Sequence, residues 1–406
     1  MPDARTVAAA VETAHHDHWS AVLAATVRLT RDLDLAEDCA QDAFVRALRT
    51  WPDGTPDNPV GWLTTVARRV ALDRLRREET LRGKLPLLLV EDVAERVGTT
   101  QSDPLRLVFT CCHPALSRDA QLPLTLRLML GLTVPEIAGV LLVKEATVAA
   151  RITRAKQKIA TAGVPFRLPA DAELPDRLDT VLTVVHLAYT AGHASGGEEL
   201  VRADLTGRAV RLAGLLVNAL PDEPEAHGLL GLLLLTEARG PARFGSEGEL
   251  VLLADQDRSR WDQALMHEGL ERVTESLKSG DGRFVLQAAI AGLHTSAPSW
   301  GATDWRQVGR MYDALMARWP TPVVALNRLA ARSLEPGADL VQVLADLRAL
   351  RAEPILATYA YLPATIADVL SRLGRGSEAA ATYDQALALT TNGTERRFLA
   401  RRRACL

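Results

Sequence analysis

The chain has 406 residues, with 47 Lys+Arg against 50 Asp+Glu and a net charge of −3, so the overall balance announces neither a nucleic-acid coat nor a membrane surface. The length predicts two or three domains, and many Ala, Leu and Arg with few aromatics predict an all-α fold. Four cysteines in so long a chain exclude a disulfide framework, no signal pattern opens the sequence, and the longest apolar run, Gly228 to Leu235, is too short for a bilayer; a cytoplasmic setting is expected.

Residues 7–50 read as two amphipathic helices with a break near Asp32–Asp34. The second, LAEDCAQDAFVRALRTW, is acidic in its first half and basic in its last turn, which suits the helix dipole. Asp38, Gln41 and Asp42 form one polar face above an apolar side of Ala43, Phe44 and Leu48; by itself this is an ordinary solvated face. Turn residues between Trp51 and Pro59 predict a loop. The next helix, GWLTTVARRVALDRLRREE, carries Arg68, Arg69, Arg74, Arg76 and Arg77 against Asp73. Trp51 and Trp62 flanking a loop that feeds this helix suit single-stranded DNA, with rings stacking on bases and arginines holding phosphates.

Residues 85–105 separate this module from the next, and apolar Pro86 to Val90 predict packing on some surface. Leu105 to Leu130 supply two supporting helices. Cys111, Cys112 and His113, like His15, His16 and His18, lack the four-ligand set of a closed metal site; no metal or cofactor is expected.

Gly131 to Lys158 read as a helix-turn-helix. Thr133 and Glu136 make a capping box, with Pro135 in the first turn. The second helix, from about Glu145 to Ala160, lines up Val148, Ile152, Ala155 and Ile159 at helical spacing. Ala146, Ala150, Thr153, Arg154 and Gln157 occupy its outward face, with Arg151, Lys156 and Lys158 as phosphate contacts. Leu142 stands where a turn glycine is often found, and Lys144 stands at the N-cap. An ordinary helical hairpin is the alternative to this DNA-reading pattern.

Residues 1–165 hold 21 Lys+Arg against 20 Asp+Glu, and the remainder 26 against 30, so any DNA footprint is local. After a linker at 164–174, residues 175–406 read as about 12 helices. GRGSEAAATYDQALAL, with Gly374, Ala379, Tyr383 and Ala386, resembles half of a tetratricopeptide repeat, and EPEAHGLLGLLLLTEARG could be a second, degenerate unit. DQDRSRWD (Asp255 to Asp262) admits either acid/base chemistry or capped helix starts with interlocking ion pairs.

In this order, DLAEDCAQDAFVRAL, NPVGWLTTVARRVALDRLRR and the helix-turn-helix resemble a bacterial RNA polymerase sigma factor of the extracytoplasmic-function class, across roughly residues 8–163. The resemblance implies docking of Asp38, Gln41 and Asp42 on the polymerase β′ clamp. It implies −10 contacts from Trp51, Asn58, Trp62, Arg68, Arg69, Arg76 and Arg77. It implies −35 contacts from Lys144, Thr147, Ala150, Arg151, Thr153, Arg154, Gln157 and Lys158. The expected architecture is sigma domain 2 (1–84), a linker (85–105), sigma domain 4 with its helix-turn-helix (106–163), a linker (164–174) and a tetratricopeptide-like helical regulatory domain (175–406). Expected partners are core RNA polymerase (β′ clamp and β flap), promoter DNA and a regulatory protein on the C-terminal helices, without catalysis or membrane contact. A one-component regulator with a helical sensor is the alternative function; an enzyme built on DQDRSRWD is a third.

Overall fold

The computed structural model describes residues 4–82, 103–141, 143–170, 173–193, 203–246, 248–390 and 392–406. Among these are 18 α-helices, several 3-10 turns and a single isolated β-bridge, Phe244 to Leu250. The expectation for Pro86 to Val90 and the turn position Leu142 lie outside the described residues. The described residues form two compact units, one within residues 4–219 and the other within residues 220–406.

The first unit opens with α1 (Ala4–Thr30), α2 (Leu33–Thr50) and α3 (Pro59–Arg82), which pack pairwise on one another. The break between α1 and α2 comes at Arg31, whose φ of 53° no helix accommodates, and Asp32 then caps α2 by accepting from the amides of Asp34 and Leu35. Asn58 starts α3 similarly, its Oδ1 3.0 Å from the Gly61 amide. Small residues let the helices approach closely: Ala36, Cys39, Ala40, Ala43, Ala67 and Ala71 are fully buried around Leu23, Phe44 and Leu63. Leu48 departs from the expected apolar side. It is 47% exposed, together with Val45 at 46%, because the core side of α2 ends at Ala47.

Four further helices follow: α4 (Asp103–Cys111), α5 (Arg118–Leu128), α6 (Val134–Leu141) and α7 (Glu145–Thr161). The capping box at α6 forms as read, the Glu136 carboxylate accepting from the Thr133 amide at 2.7 Å while Thr133 Oγ1 accepts from the Glu136 amide at 3.4 Å. Val148, Ile152, Ala155 and Ile159 are the buried stripe of α7. Gly131 turns the chain into this motif with φ +65°, and a Cβ there would lie 2.9 Å from His15 and 3.1 Å from Trp19. Both the backbone and the close neighbour demand glycine.

Two helices expected beyond a linker belong to this same unit: α8 (Leu174–His193) and α9 (Ala203–Ala219). Arg177 of α8 is the reason. Its Nη2 donates to the Phe109 carbonyl at 2.6 Å and its guanidinium lies over the Phe109 ring, so α8 covers the outside of α4 to α6. The compact units thus divide after Ala219 rather than near residue 175.

The second unit runs from α10 (Pro224–Ala238) through α11 (Gln263–Leu277), α12 (Arg283–Ser296), α13 (Trp305–Arg318), α14 (Pro322–Ser333), α15 (Leu340–Ala349), α16 (Tyr361–Arg372) and α17 (Gly376–Leu389) to α18 (Gly393–Ala404). Sequence neighbours pack as successive helical hairpins. In α10 the run Leu229 to Leu235 is largely buried because α11 and α12 cover it together; a Cβ at Gly228 would meet the Val285 amide at 2.6 Å. The final pair is a close hairpin, with Ala379 and Ala386 fully buried and Tyr383 at 3% exposure, as the small-residue spacing predicts.

Candidate nucleic-acid interface

On α2, Asp38, Gln41 and Asp42 face outward, and both carboxylates are partnered from α3. Arg74 reaches Asp42 Oδ2 at 2.6 Å and Asp38 Oδ2 at 3.4 Å, with side-chain exposures of 43% and 65% for the two acids. Exposed pairs of this kind contribute little to stability, roughly 0–1 kcal/mol, so they can be exchanged for another partner at small loss. Val45 and Leu48 extend the same face by apolar surface. Sequence periodicity missed them because it assigned Leu48 to the core side.

The residues expected at single-stranded DNA separate into three groups. Arg69, Arg76 and Arg77 are exposed on α3, and Trp62 is half-buried. Arg68 is half-buried; burial, then the charge of Arg28, lowers its pKa. Asn58 is exposed, with its carbonyl committed to the cap of α3. Trp51 differs from the expectation: it is 1% exposed, its ring 5.8 Å from that of Trp62 in an edge-on arrangement. The 3-10 turn at Trp51–Asp53 folds the indole back under the helices, so that of the two rings only that of Trp62 is partly exposed.

On α7 the outward face is as read. Ala146, Ala150, Thr153, Arg154 and Gln157 are exposed, as are Lys144 and Lys158, while Thr147 is half-buried. Lys144 occupies the N-cap without a side-chain cap bond. Arg154 lies along its own helix, Nε 3.1 Å from the Ala150 carbonyl. Arg151 is drawn sideways to Asp119 of α5 at 3.3 Å.

Lys156 corrects the phosphate assignment. Its side chain is 11% exposed, with Nζ 2.6 Å from Asp34 Oδ1 and 2.7 Å from Glu37 Oε2 on α2. Burial acts to lower its pKa, but Glu37 and Asp34 outweigh that and the net shift is upward. Glu37, at 6% exposure, also takes Arg127 of α5. Arg28 of α1 reaches the fully buried Asp103 at 3.3 Å, and Trp19 donates to the Leu128 carbonyl at 3.0 Å. The α1–α3 module and the helix-turn-helix module are therefore in direct polar and apolar contact. No sequence signal pairs residues so far apart; the only hint is that Lys156 flanks the buried stripe.

Elsewhere the polar motifs resolve as scaffold. In DQDRSRWD, Asp257 and Asp262 cap helical turns, Gln256 Oε1 accepts from the Trp261 indole, and Arg258 and Arg260 donate to the carbonyls of His294 and of Pro241 and Phe244. The caps match the expectation; the arginines serve carbonyls where ion pairs with the acids were expected. Cys111 and Cys112 are buried, burial raising both thiols, Cys112 to about 12. Among the described residues no His, Cys, Asp and Glu group is placed to hold a metal ion, and no helix is long and apolar enough to cross a membrane.

Comparison with known proteins accounts for this arrangement. The Sigma-70 region 2 family model matches residues 15–80, the Sigma-70 region 4 model residues 106–159, and a family of unknown function, DUF6596, residues 177–277. An uncharacterised protein of Rhizobium meliloti (strain 1021) is 38% identical over 93% of this chain and 91% of its own length. The ECF RNA polymerase sigma factor SigJ of Mycobacterium tuberculosis (strain ATCC 25618 / H37Rv) is 29% identical over 55% of this chain and 73% of its own. The probable ECF RNA polymerase sigma factor SigI of that strain is 29% identical over 37% and 54%, respectively. No solved structure matches the chain. With α1–α3 falling in region 2, α4–α7 in region 4 and a helical extension following, the chain belongs to the extracytoplasmic-function sigma factors of the sigma-70 family, a family of non-enzymatic transcription initiation factors.

Proposed function

We propose that this chain binds core RNA polymerase and directs it to promoters with −35 and −10 elements. The observation that carries the reading is the exposed, sparse outward face of α7, opposite a buried Val148–Ile152–Ala155–Ile159 stripe. Only Arg154 and Gln157 there can bond two atoms of one base edge, at about 1–3 kcal/mol of discrimination for each good pair. That is too little for a stand-alone repressor and suits a factor whose grip is shared. Asp38, Gln41 and Asp42 would supply docking on the β′ clamp, the helix-turn-helix module would meet the β flap, and the Trp62–Arg69–Arg76–Arg77 surface would hold the opened −10 strand. Linkage then adds the separate contributions.

The second unit is read as a regulatory or partner-docking array of tetratricopeptide-like hairpins, in keeping with the packing of α16 on α17. Run-off transcription with purified core enzyme tests the function: new promoter-specific transcripts support it. Duplex binding without polymerase-dependent transcripts would favour a one-component regulator.

A further inference from the structure

We propose that the cavity between α1, the start of α4, the end of α5 and α9 is a binding site for a small amphipathic anion, a carboxylate carried on a medium-length apolar body. Its volume is about 430 Å³, within the roughly 300–1,000 Å³ that small-molecule sites occupy. The site stands on its own geometry and does not need the promoter-factor reading.

The lining divides by chemistry. Pro104, Met129, Leu130 and Leu212 form a buried apolar wall, which Ala21 and Leu215 extend. The polar end carries two cations, Arg208 and Arg211, against one carboxylate, Asp17. That excess sets the sign of the ligand.

Arg211 is poised to hold it. Its side chain is 45% exposed, with Nη2 3.6 Å from Asp17 Oδ1 and 3.0 Å from His16 Nδ1. That ring nitrogen is itself 2.8 Å from Asp17 Oδ1. A nitrogen that donates to Asp17 cannot also accept from Arg211. The remaining contacts of the guanidinium with His16, at Nε2 and at the backbone carbonyl, are both 3.4 Å long. Its Nη1 and Nε meet no acceptor among the described residues. A planar fork with open donors suits a carboxylate, which takes two of them at once.

A second observation comes from α9 itself. Gly214 lies in the helix interior, where glycine lowers the folded-to-unfolded ratio about fivefold relative to alanine. At Gly228 a neighbouring backbone explains the glycine, since a Cβ would lie 2.6 Å from the Val285 amide. At Gly214 a Cβ would meet nothing within 4 Å, and its φ is not positive. Backbone and packing both admit alanine there. Gly214 lines the cavity, so the missing side chain is room for the ligand. A local loss of stability that no packing requires is the pattern of a functional position. Occupancy makes the stability of the first unit follow the concentration of the anion.

Isothermal titration of the full chain with octanoate, 1-octanol and acetate tests the site. Octanoate should bind at a single site and raise the midpoint of thermal unfolding. 1-Octanol lacks the charge and acetate lacks the apolar body, so each should bind about tenfold or more weakly than octanoate. Arg211→Gln should weaken octanoate by about tenfold and leave 1-octanol unchanged. Gly214→Leu fills the cavity and should abolish octanoate binding. Gly214→Ala, which the helix accepts, should be more stable than wild type and bind octanoate about threefold more weakly. A wild-type chain that does not bind octanoate would overturn the site. So would equal affinity for octanoate and 1-octanol, or binding that neither Arg211→Gln nor Gly214→Ala alters.

Discussion

The indole N–H of Trp19 lies 3.0 Å from the carbonyl oxygen of Leu128, joining the first helix of the chain to the last residue of α5. Helix ends leave carbonyls without intrahelical partners, and here a side chain from another module satisfies one. Trp19→Phe keeps most of the ring and removes the donor, leaving a buried carbonyl unpaired. A loss of about 1–3 kcal/mol in the unfolding of the first unit is expected by denaturant titration. A change below a few tenths would show that water takes the bond.

Gly131 sits in the same seam. Alanine there must adopt φ +65° and push its Cβ to 2.9 Å from His15. The backbone alone costs about 1–3 kcal/mol. Gly131→Ala should be destabilising, and His15→Ala in the same chain should recover the His15 share of the clash but neither the 3.1 Å contact with Trp19 nor the backbone part. Full recovery, or none, would contradict this division.

His15 makes the seam acid-sensitive. Burial, then the charge of Arg208 on α9, brings its pKa down to about 4, with His16 and Arg127 acting the same way and Glu136 opposing. The folded state thus holds neutral imidazole. Its contribution is fully present above the unfolded pKa near 6.5 and is lost as pH falls toward about 4. Thermal unfolding between pH 7 and 4.5 should show a stability loss that His15→Gln diminishes; identical pH profiles for the two chains would refute the assignment.

Much of the first unit was legible because its signals are local. The capping box, the α7 stripe and the basic face of α3 each lie within one turn or one helix. What was not legible involves distant partners. An aromatic next to a loop reads equally as a stacking platform or as core, and Trp51 proved to be core. Lys156 looked like any basic residue near a DNA-reading face, since Glu37 lies 119 positions away. The linker expected at 164–174 reads as a break between independent modules, whereas Arg177 just beyond it ties α8 back to Phe109 across 68 positions.

The two tryptophans can be told apart by experiment. Trp51→Ala empties a fully buried site and should cost about 3–5 kcal/mol. Trp62→Ala removes a half-buried ring and should cost less, while impairing promoter opening, as read by permanganate reactivity of unpaired thymines. Equal effects on stability with no effect on opening would remove Trp62 from the −10 surface.

The proposed reading of α7 assigns different work to neighbouring residues on its outward face, and salt separates them. With Arg154 and Gln157 proposed to read base edges, Arg154→Ala should relax the preference for −35 sequence over mutated −35 sequence by about 1–3 kcal/mol. Lys158 is the residue proposed to hold phosphate. Lys158→Ala should weaken all duplexes alike and reduce the slope of log affinity against log salt by about 0.9. Lys156 is the control, because the same count applied to the sequence alone would include it. Held by Asp34 and Glu37, it neutralises no phosphate while α7 packs on α2, so Lys156→Ala should leave the salt slope for an isolated −35 duplex unchanged. A slope that falls by a full phosphate in that variant would show that α7 binds DNA only after the joint with α2 has opened.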